Sequence, residues 1–158
     1  MIYIGKVVST QGIKGEIRIL SDFEYKDKVF VVGNSLYIQE KKYKIQTYRK
    51  HKNFDMVTLN DYNNINDVLH LMKEKVYFRE EDLKLDDNEI LDDELVKYNV
   101  ITTDGKKGKV LEIFFASPSN KIIRTYFDKE ILIPMNSPML VKIDKNKKQI
   151  LIDLVDGM

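Results

Sequence analysis

Hydrophobic and polar residues alternate over short stretches along most of the chain, the period-two pattern of half-buried strands. In the first half, residues 3–8 and 16–20 alternate on either side of the loop Ser9-Thr10-Gln11-Gly12-Ile13-Lys14-Gly15. Residues 35–39 and 43–48 flank Glu40-Lys41-Lys42, a short hairpin loop, and residues 55–59 alternate again. The period changes after Asn63-Asn64, which suit a helix N-cap. Ile65, Val68, Leu69 and Met72 stand at i, i+3, i+4 and i+7, the apolar stripe of one short helix, and residues 75–79 return to strand. Several short strands with a single helix predict a small closed or nearly closed barrel, an arrangement that removes exposed strand edges.

The second half reads as a run of hairpins. Residues 96–102 lead into Thr103-Asp104-Gly105-Lys106, where Asp-Gly signals a tight turn. Residues 109–115 follow, with Ser117-Pro118-Ser119-Asn120 as the next loop. Further strands are predicted at 122–127, 131–133, 140–143 and 149–154, the last two joined by Asp144-Lys145-Asn146-Lys147-Lys148. Strand–helix–strand alternation is missing throughout, which argues against a parallel α/β sheet.

Composition strengthens the all-β reading. Alanine, the best helix former, occurs once, at Ala116, while β-branched and aromatic residues abound. Hydrophobic residues make up 43% of the chain, enough for a core. Charge then divides the sequence. Residues 1–79 carry 14 bases and 9 acids, a net of +5; residues 80–95 carry 9 acids and one base, a net of −8; residues 96–158 carry 11 bases and 7 acids, a net of +4. An acidic segment of weak periodicity between two mildly basic, strand-rich stretches suggests an inter-domain linker, giving domains at 1–80 and 95–158 joined by 81–94. The alternative is one domain with an acidic surface loop.

The overall charge of +1 excludes a general polyanion binder, since no large uniform positive field exists to release counterions. The chain has no cysteine, which removes disulfides and thiol chemistry, and its two histidines, His51 and His70, have no partner at zinc-ligand spacing. No cofactor fingerprint occurs, and Gly12-Ile13-Lys14-Gly15 is too short for a phosphate loop and leads into a strand. No apolar run approaches the roughly 18 residues of a membrane span, so a cytoplasmic chain without a membrane partner is expected. The carboxylates at 80–82 and 86–94 form a solvated acidic run on the plain reading. They supply the only enzymatic alternative, an RNA-processing or RNA-modifying activity.

Binding is the better supported class. The glycine loop is flanked by Gln11, Lys14 and Arg18, and its two glycines either allow close approach to a partner or simply shape the loop. Tyr48-Arg49-Lys50-His51-Lys52-Asn53 is the densest basic cluster. Its letters suit phosphate contact with base stacking, or equally a solvated hairpin tip. On these grounds Gln11, Lys14, Arg18, Arg49, Lys50, His51 and Lys52 are the candidates for RNA contact.

The stretch Gly5-Lys6-Val7-Val8-Ser9-Thr10-Gln11-Gly12-Ile13-Lys14-Gly15-Glu16-Ile17-Arg18 resembles the opening of the RimM ribosome maturation factor family. The likeness continues through 64–72, through Val76-Tyr77-Phe78-Arg79-Glu80-Glu81-Asp82-Leu83 and through Asp104-Gly105-Lys106-Lys107-Gly108-Lys109-Val110. It ends with Leu132-Ile133-Pro134, Val141-Lys142-Ile143-Asp144 and Ile150-Leu151-Ile152-Asp153-Leu154-Val155-Asp156-Gly157, so it runs essentially the whole chain in order.

The resemblance implies an N-terminal six-stranded barrel like one of the translation-factor barrels, and a C-terminal PRC barrel. It implies a non-enzymatic, monomeric factor without cofactor that assists maturation of the small (30S) subunit. Its partners would be the free subunit, 16S rRNA and the head protein numbered nineteen. It further implies a partner surface at Ile90, Leu91, Pro118, Asn120 and Pro134. Three departures stand out: Ile90 and Leu91 replace an aromatic pair, Gln11 replaces a histidine, and Pro118-Ser119-Asn120 replaces Ala-Asn-Asp. A different reading of the same barrel is a docking module for a membrane or photosynthetic complex.

Overall fold

The computed structural model describes residues 1–87 and 89–154 and is mostly β. The chain divides into two compact units, Met1–Leu85 and Asp86–Met158. The division falls inside the acidic stretch, and that stretch belongs to the units on either side. Leu83 packs on the first core, whereas Ile90 and Leu95 are buried in the second. Apolar residues spaced among the acids reach the cores while the carboxylates remain outside, because an unpaired charge is costly to bury.

The first unit contains β1 (Ile2–Gln11), β2 (Glu16–Leu20), α1 (Lys26–Val29), β3 (Ser35–Ile38), β4 (Lys41–His51), β5 (Phe54–Leu59), α2 (Ile65–Val68) and β6 (Lys75–Phe78). The strands form a closed barrel in the order β1-β2-β5-β4-β3-β6, as alternation and edge removal led us to expect. Each strand sends two side chains inward: Ile4 and Val7, Ile17 and Ile19, Leu36 and Ile38, Tyr43 and Ile45, Val57 and Leu59, Val76 and Phe78. Val29, Phe30, Val68 and Leu71 complete this core. Burying each such side chain is worth about 1.5–3 kcal/mol before the entropy of ordering it.

The predicted helix is shorter than its apolar stripe. Asn64 caps α2 by accepting from the Asn66 N–H at 2.9 Å, but at Leu69 the chain tightens into a 3₁₀ turn, Leu69–Leu71. Three residues per turn replace 3.6, so Leu71 goes inward and Leu69 is left 49% exposed. The sequence pattern predicts no element at helix α1. It is held at the barrel rim by the Asn34 amide, which donates to the carbonyls of Lys28 and Val29.

The second unit holds α3 (Asp92–Leu95), β7 (Asn99–Thr102), β8 (Lys107–Ser117), β9 (Asn120–Tyr126), β10 (Glu130–Pro134), β11 (Leu140–Asp144) and β12 (Gln149–Ile152). These strands form one six-stranded sheet in the order β10-β9-β8-β7-β12-β11. Val100, Val110, Ile123, Ile131, Ile133, Ile150 and Ile152 share one core, so five strands curl round it, with Leu140 and Ile143 of β11 packed alongside. The barrel expected here is therefore a six-stranded sheet with β10 and β11 at its edges among the described residues. The hairpin reading also misses one pairing: β12 runs parallel to β7, with Gln149 opposite Asn99 and Ile152 opposite Thr102. Hairpin signals report neighbours in sequence and are silent on a last strand that inserts beside the first. Residues 96–98, read as strand, instead follow α3 as a turn.

One polar network pins α1 to the first barrel. Asp55, 1% exposed, accepts from the Lys26 ammonium at 3.0 Å and from the Tyr48 hydroxyl at 2.7 Å. Lys26 also donates to the Ser21 carbonyl, and the Ser21 hydroxyl donates to the carbonyl of Ile4. Removing Asp55 strands two donors, so Asp55→Ala is expected to cost about 3 kcal/mol and Tyr48→Phe about 1.5 kcal/mol. Urea unfolding of the full chain measures both, and equal small losses would refute the network's weight.

Candidate nucleic-acid interface

The glycine loop between β1 and β2 is shaped by a close contact. Gly15 has φ +83, and a Cβ there would lie 2.4 Å from the Tyr62 carbonyl oxygen. The Ile65 N–H donates to the Ile13 carbonyl at 2.9 Å, so the loop is fastened to the start of α2. Gly15 thus serves the fold, while Gly12, at φ +67, turns in open space. Ile13 is 76% exposed at the loop's tip, and Lys14 beside it is exposed.

Gln11 and Glu16 are partners across β1 and β2, and Arg18, Met56 and Arg49 are in register across β2, β5 and β4. Ile17, Ile19 and Val57 point into the barrel, so this row lies on the outer face. Met56 is fully buried beneath it although it is not part of the barrel core. The Arg18 guanidinium donates to Gln11 Oε1 and stands 5.7 Å from the Phe54 ring centre. Arg49 grips Glu16 with two bonds, Nη2 to Oε1 at 2.7 Å and Nε to Oε2 at 3.0 Å.

That fork holds the Glu16 carboxyl below its ordinary range against the opposing effect of burial, with smaller help from Arg18 and His51. Both arginines are therefore engaged within the face. Arg49 remains exposed beside that pair, and Lys14 on the loop, with Lys50, His51 and Lys52 around the β4–β5 turn, are exposed as well. Tyr48 departs from the stacking role its neighbours suggested. Its ring lies 5.9 Å from that of Phe30 with 9° between planes, and burial with the Asp55 bond pushes its phenol up to about 12. It is a framework donor at the barrel rim.

The structure gathers most of the second group of candidates as well. Pro118 is exposed in the β8–β9 turn, where Asn120 pairs with Ser117. Pro134 ends β10 opposite Ile122, and the next residue, Met135, donates to the Lys121 carbonyl. Lys121 reaches Asp92 at 2.5 Å and stands 5.5 Å over the Phe115 ring. Leu91, half-buried, begins α3 by accepting from the N–H groups of Glu94 and Leu95. Leu91, Pro118, Asn120 and Pro134 thus lie around Lys121 at one end of the sheet. Ile90 does not join them: it is 5% exposed and packs in the core. Phe115, 58% exposed, is the aromatic of this surface, and its period-two neighbours had marked it only as strand.

The acidic residues do not converge. Glu81 and Asp82 both pair with Arg79, and Asp92 pairs with Lys121. Among the described residues no group of three or more His, Cys, Asp or Glu side chains could hold a metal ion, and no helix is long and apolar enough to cross a membrane.

The Glu16–Arg49 fork has a pH signature. A lowered folded pKa stabilises above the unfolded value, near 4.5, and that contribution disappears as the pH falls through the folded value. Glu16→Gln is expected to be less stable than the parent at neutral pH, with the difference closing below that point. Thermal unfolding across the acid range checks it; a pH-independent difference would contradict the assignment.

The family pattern described as the RimM N-terminal domain matches residues 2–83, which span the closed barrel. The ribosome maturation factor RimM of Listeria monocytogenes serotype 4b (strain CLIP80459) is 32% identical over 167 aligned residues, covering 100% of this chain and 97% of that protein. That of Bacillus mycoides (strain KBAB4) is 31% identical over 164 residues, covering 98% of this chain and 96% of its own length. The solution structure of the N-terminal domain of RimM from Thermus thermophilus aligns at TM-score 0.45 and 18% identity, over 53% of this chain and 94% of that one. With the family domain across the first unit and relatives covering both, the chain belongs to the RimM ribosome maturation factor family.

Proposed function

We propose that this protein assists assembly of the head of the small ribosomal subunit as a non-catalytic binding factor, with 16S rRNA processing following from correct assembly. The observation that carries the reading is the kinship with proteins named ribosome maturation factor over 100% of this chain and 97% of one such relative. A surface made of exposed cations beside internally paired arginines supports it. Lys14, Lys50, His51 and Lys52 meet rRNA phosphates, while Gln11, Arg18 and Arg49 keep their face rigid. Phosphate contacts of this kind fix position, and specificity must come from elsewhere.

The second unit supplies the specificity. Leu91, Pro118, Asn120 and Pro134, with Phe115 among them, form the surface for the head protein numbered nineteen. An exposed aromatic beside apolar and proline neighbours is the composition of a hot spot. Binding the immature head more tightly than the finished one favours the arrangement that leads to maturity, and release follows once that difference is gone. The factor acts as a cytoplasmic monomer on free subunits.

Sedimentation of a cell extract tests the role. The protein is expected with free small subunits and absent from joined ribosomes, and a protein that remains at the top of the gradient at low salt refutes it. Phe115→Ala with Leu91→Ala is expected to weaken association at every salt concentration. Lys50→Gln with Lys52→Gln is expected to weaken it mainly at low salt and to flatten its salt dependence.

A further inference from the structure

A cavity of about 500 Å³ opens on the outer face of the second sheet, lined by none of the residues assigned above. Its lining follows from strand register. Tyr126 of β9 stands opposite Lys109 of β8, Lys109 opposite Asn99 of β7, and Asn99 opposite Gln149 of β12. Their neighbours Val100, Val110, Thr125 and Ile150 are buried, so the four residues of the row face outward together. At the usual strand spacing the row is about 14 Å long. Lys107, two residues before Lys109 and on the same face, adds a second cation.

Gly108, between the two lysines, lies on the core-facing side of β8. A Cβ at this position would lie 2.6 Å from both Phe127 Cδ1 and the Tyr126 carbonyl oxygen, so the bare backbone lets the Phe127 ring pack closely against the second core beside the strand. Tyr126 is itself 47% exposed. The acids at the two ends of the row are occupied: Glu130 pairs with Arg124 at 2.9 Å, and Asp144 accepts the N–H groups of Asn146 and Lys147. The cavity therefore offers an exposed aromatic ring, two side-chain amides and two lysines, with no acid in its lining among the described residues. A larger cavity beside Tyr37 and Tyr77, about 650 Å³, sets Glu40 and Glu74 against Lys73 and Lys75, and has no such bias.

We propose that this row is a binding site for unpaired RNA, with a base stacked on Tyr126, base edges read by Asn99 and Gln149, and phosphate held by Lys107 and Lys109. Stacking on an aromatic flanked by cations is how single strands are held without a duplex, and amides can bond either donors or acceptors on a base edge. The choice of RNA rests on the maturation reading above. The position does not, since none of the residues that line it belongs to the surfaces used in that reading.

The test is fluorescence anisotropy of the full chain with a labelled eight-nucleotide single-stranded RNA of mixed sequence, beside a duplex of the same length. The single strand is expected to bind better than the duplex. Tyr126→Ala is expected to weaken it about tenfold while Tyr126→Phe retains affinity. Lys107→Gln with Lys109→Gln is expected to reduce the salt slope by about 1.4. Unchanged affinity in Tyr126→Ala, with folding verified by circular dichroism, overturns the proposal. So does loss of subunit association in that variant with oligonucleotide affinity intact, which would assign the face to a protein. Wild-type chain that co-sediments with small subunits yet does not bind the oligonucleotide refutes this site and leaves the maturation role standing. Wild-type chain that binds the oligonucleotide through Tyr126 but never sediments with subunits supports the site and refutes that role.

Discussion

The first unit depends on one short strand that closes it. β6 is four residues long, yet it pairs with β1 on one side and β3 on the other, with Tyr77 opposite both Tyr3 and Tyr37. Without that double pairing β1 and β3 would be edges, and two rows of unpaired amides would face water and other chains. Closure also fixes which side chains face where. Val76 and Phe78 must point inward, and the register then sets the alternation of the neighbouring strands, because a one-residue slip would turn a whole strand inside out. The interruptions of register in β1 and β4 let six short strands bend into a closed ring.

Closure has a consequence for the outer face. A small barrel is filled by its own side chains, so its functional chemistry must lie outside or on its loops. On the β1-β2-β5-β4 side, the arginines are paired with Gln11, Glu16 and the Phe54 ring, and exposed lysines and a histidine stand beside them. Paired guanidinium groups brace the face, while hydrated ammonium groups on flexible stems are left toward solvent. The Asp55 network does similar work at the rim, where a buried carboxylate with two donors fastens α1 and the Tyr48–Phe30 stack.

The second unit solves a different problem with the same materials. Its sheet curls round one core but takes its last strand in parallel beside its first, so residues about fifty positions apart, such as Asn99 and Gln149, become neighbours. That insertion builds the outward row on which the cavity stands. The opposite end gathers Leu91, Lys121, Phe115 and the β8–β9 turn through the Asp92–Lys121 pair. Two small units offer separate outer faces for contact at little net charge.

The sequence by itself determined the β class, most strands, the hairpin turns and the closed form of the first unit, because alternation and turn chemistry are local and need no knowledge of distant partners. The full-length likeness to a family was also legible there. Tertiary structure alone decided which candidates were available for binding. Tyr48 looked like a stacking residue among cations until Phe30 and Asp55, 18 and 7 positions away, claimed its ring and its hydroxyl. Arg49, read as a phosphate contact, is also paired with Glu16, 33 positions away, through two of its guanidinium N–H groups. Ile90 looked like part of a linker until the second core closed over it. The parallel pairing of β12 with β7 could not be read from turn signals at all. In each case the deciding partner is remote in sequence, and burial or pairing with it depends on how the strands are ordered in space, which a local pattern does not encode.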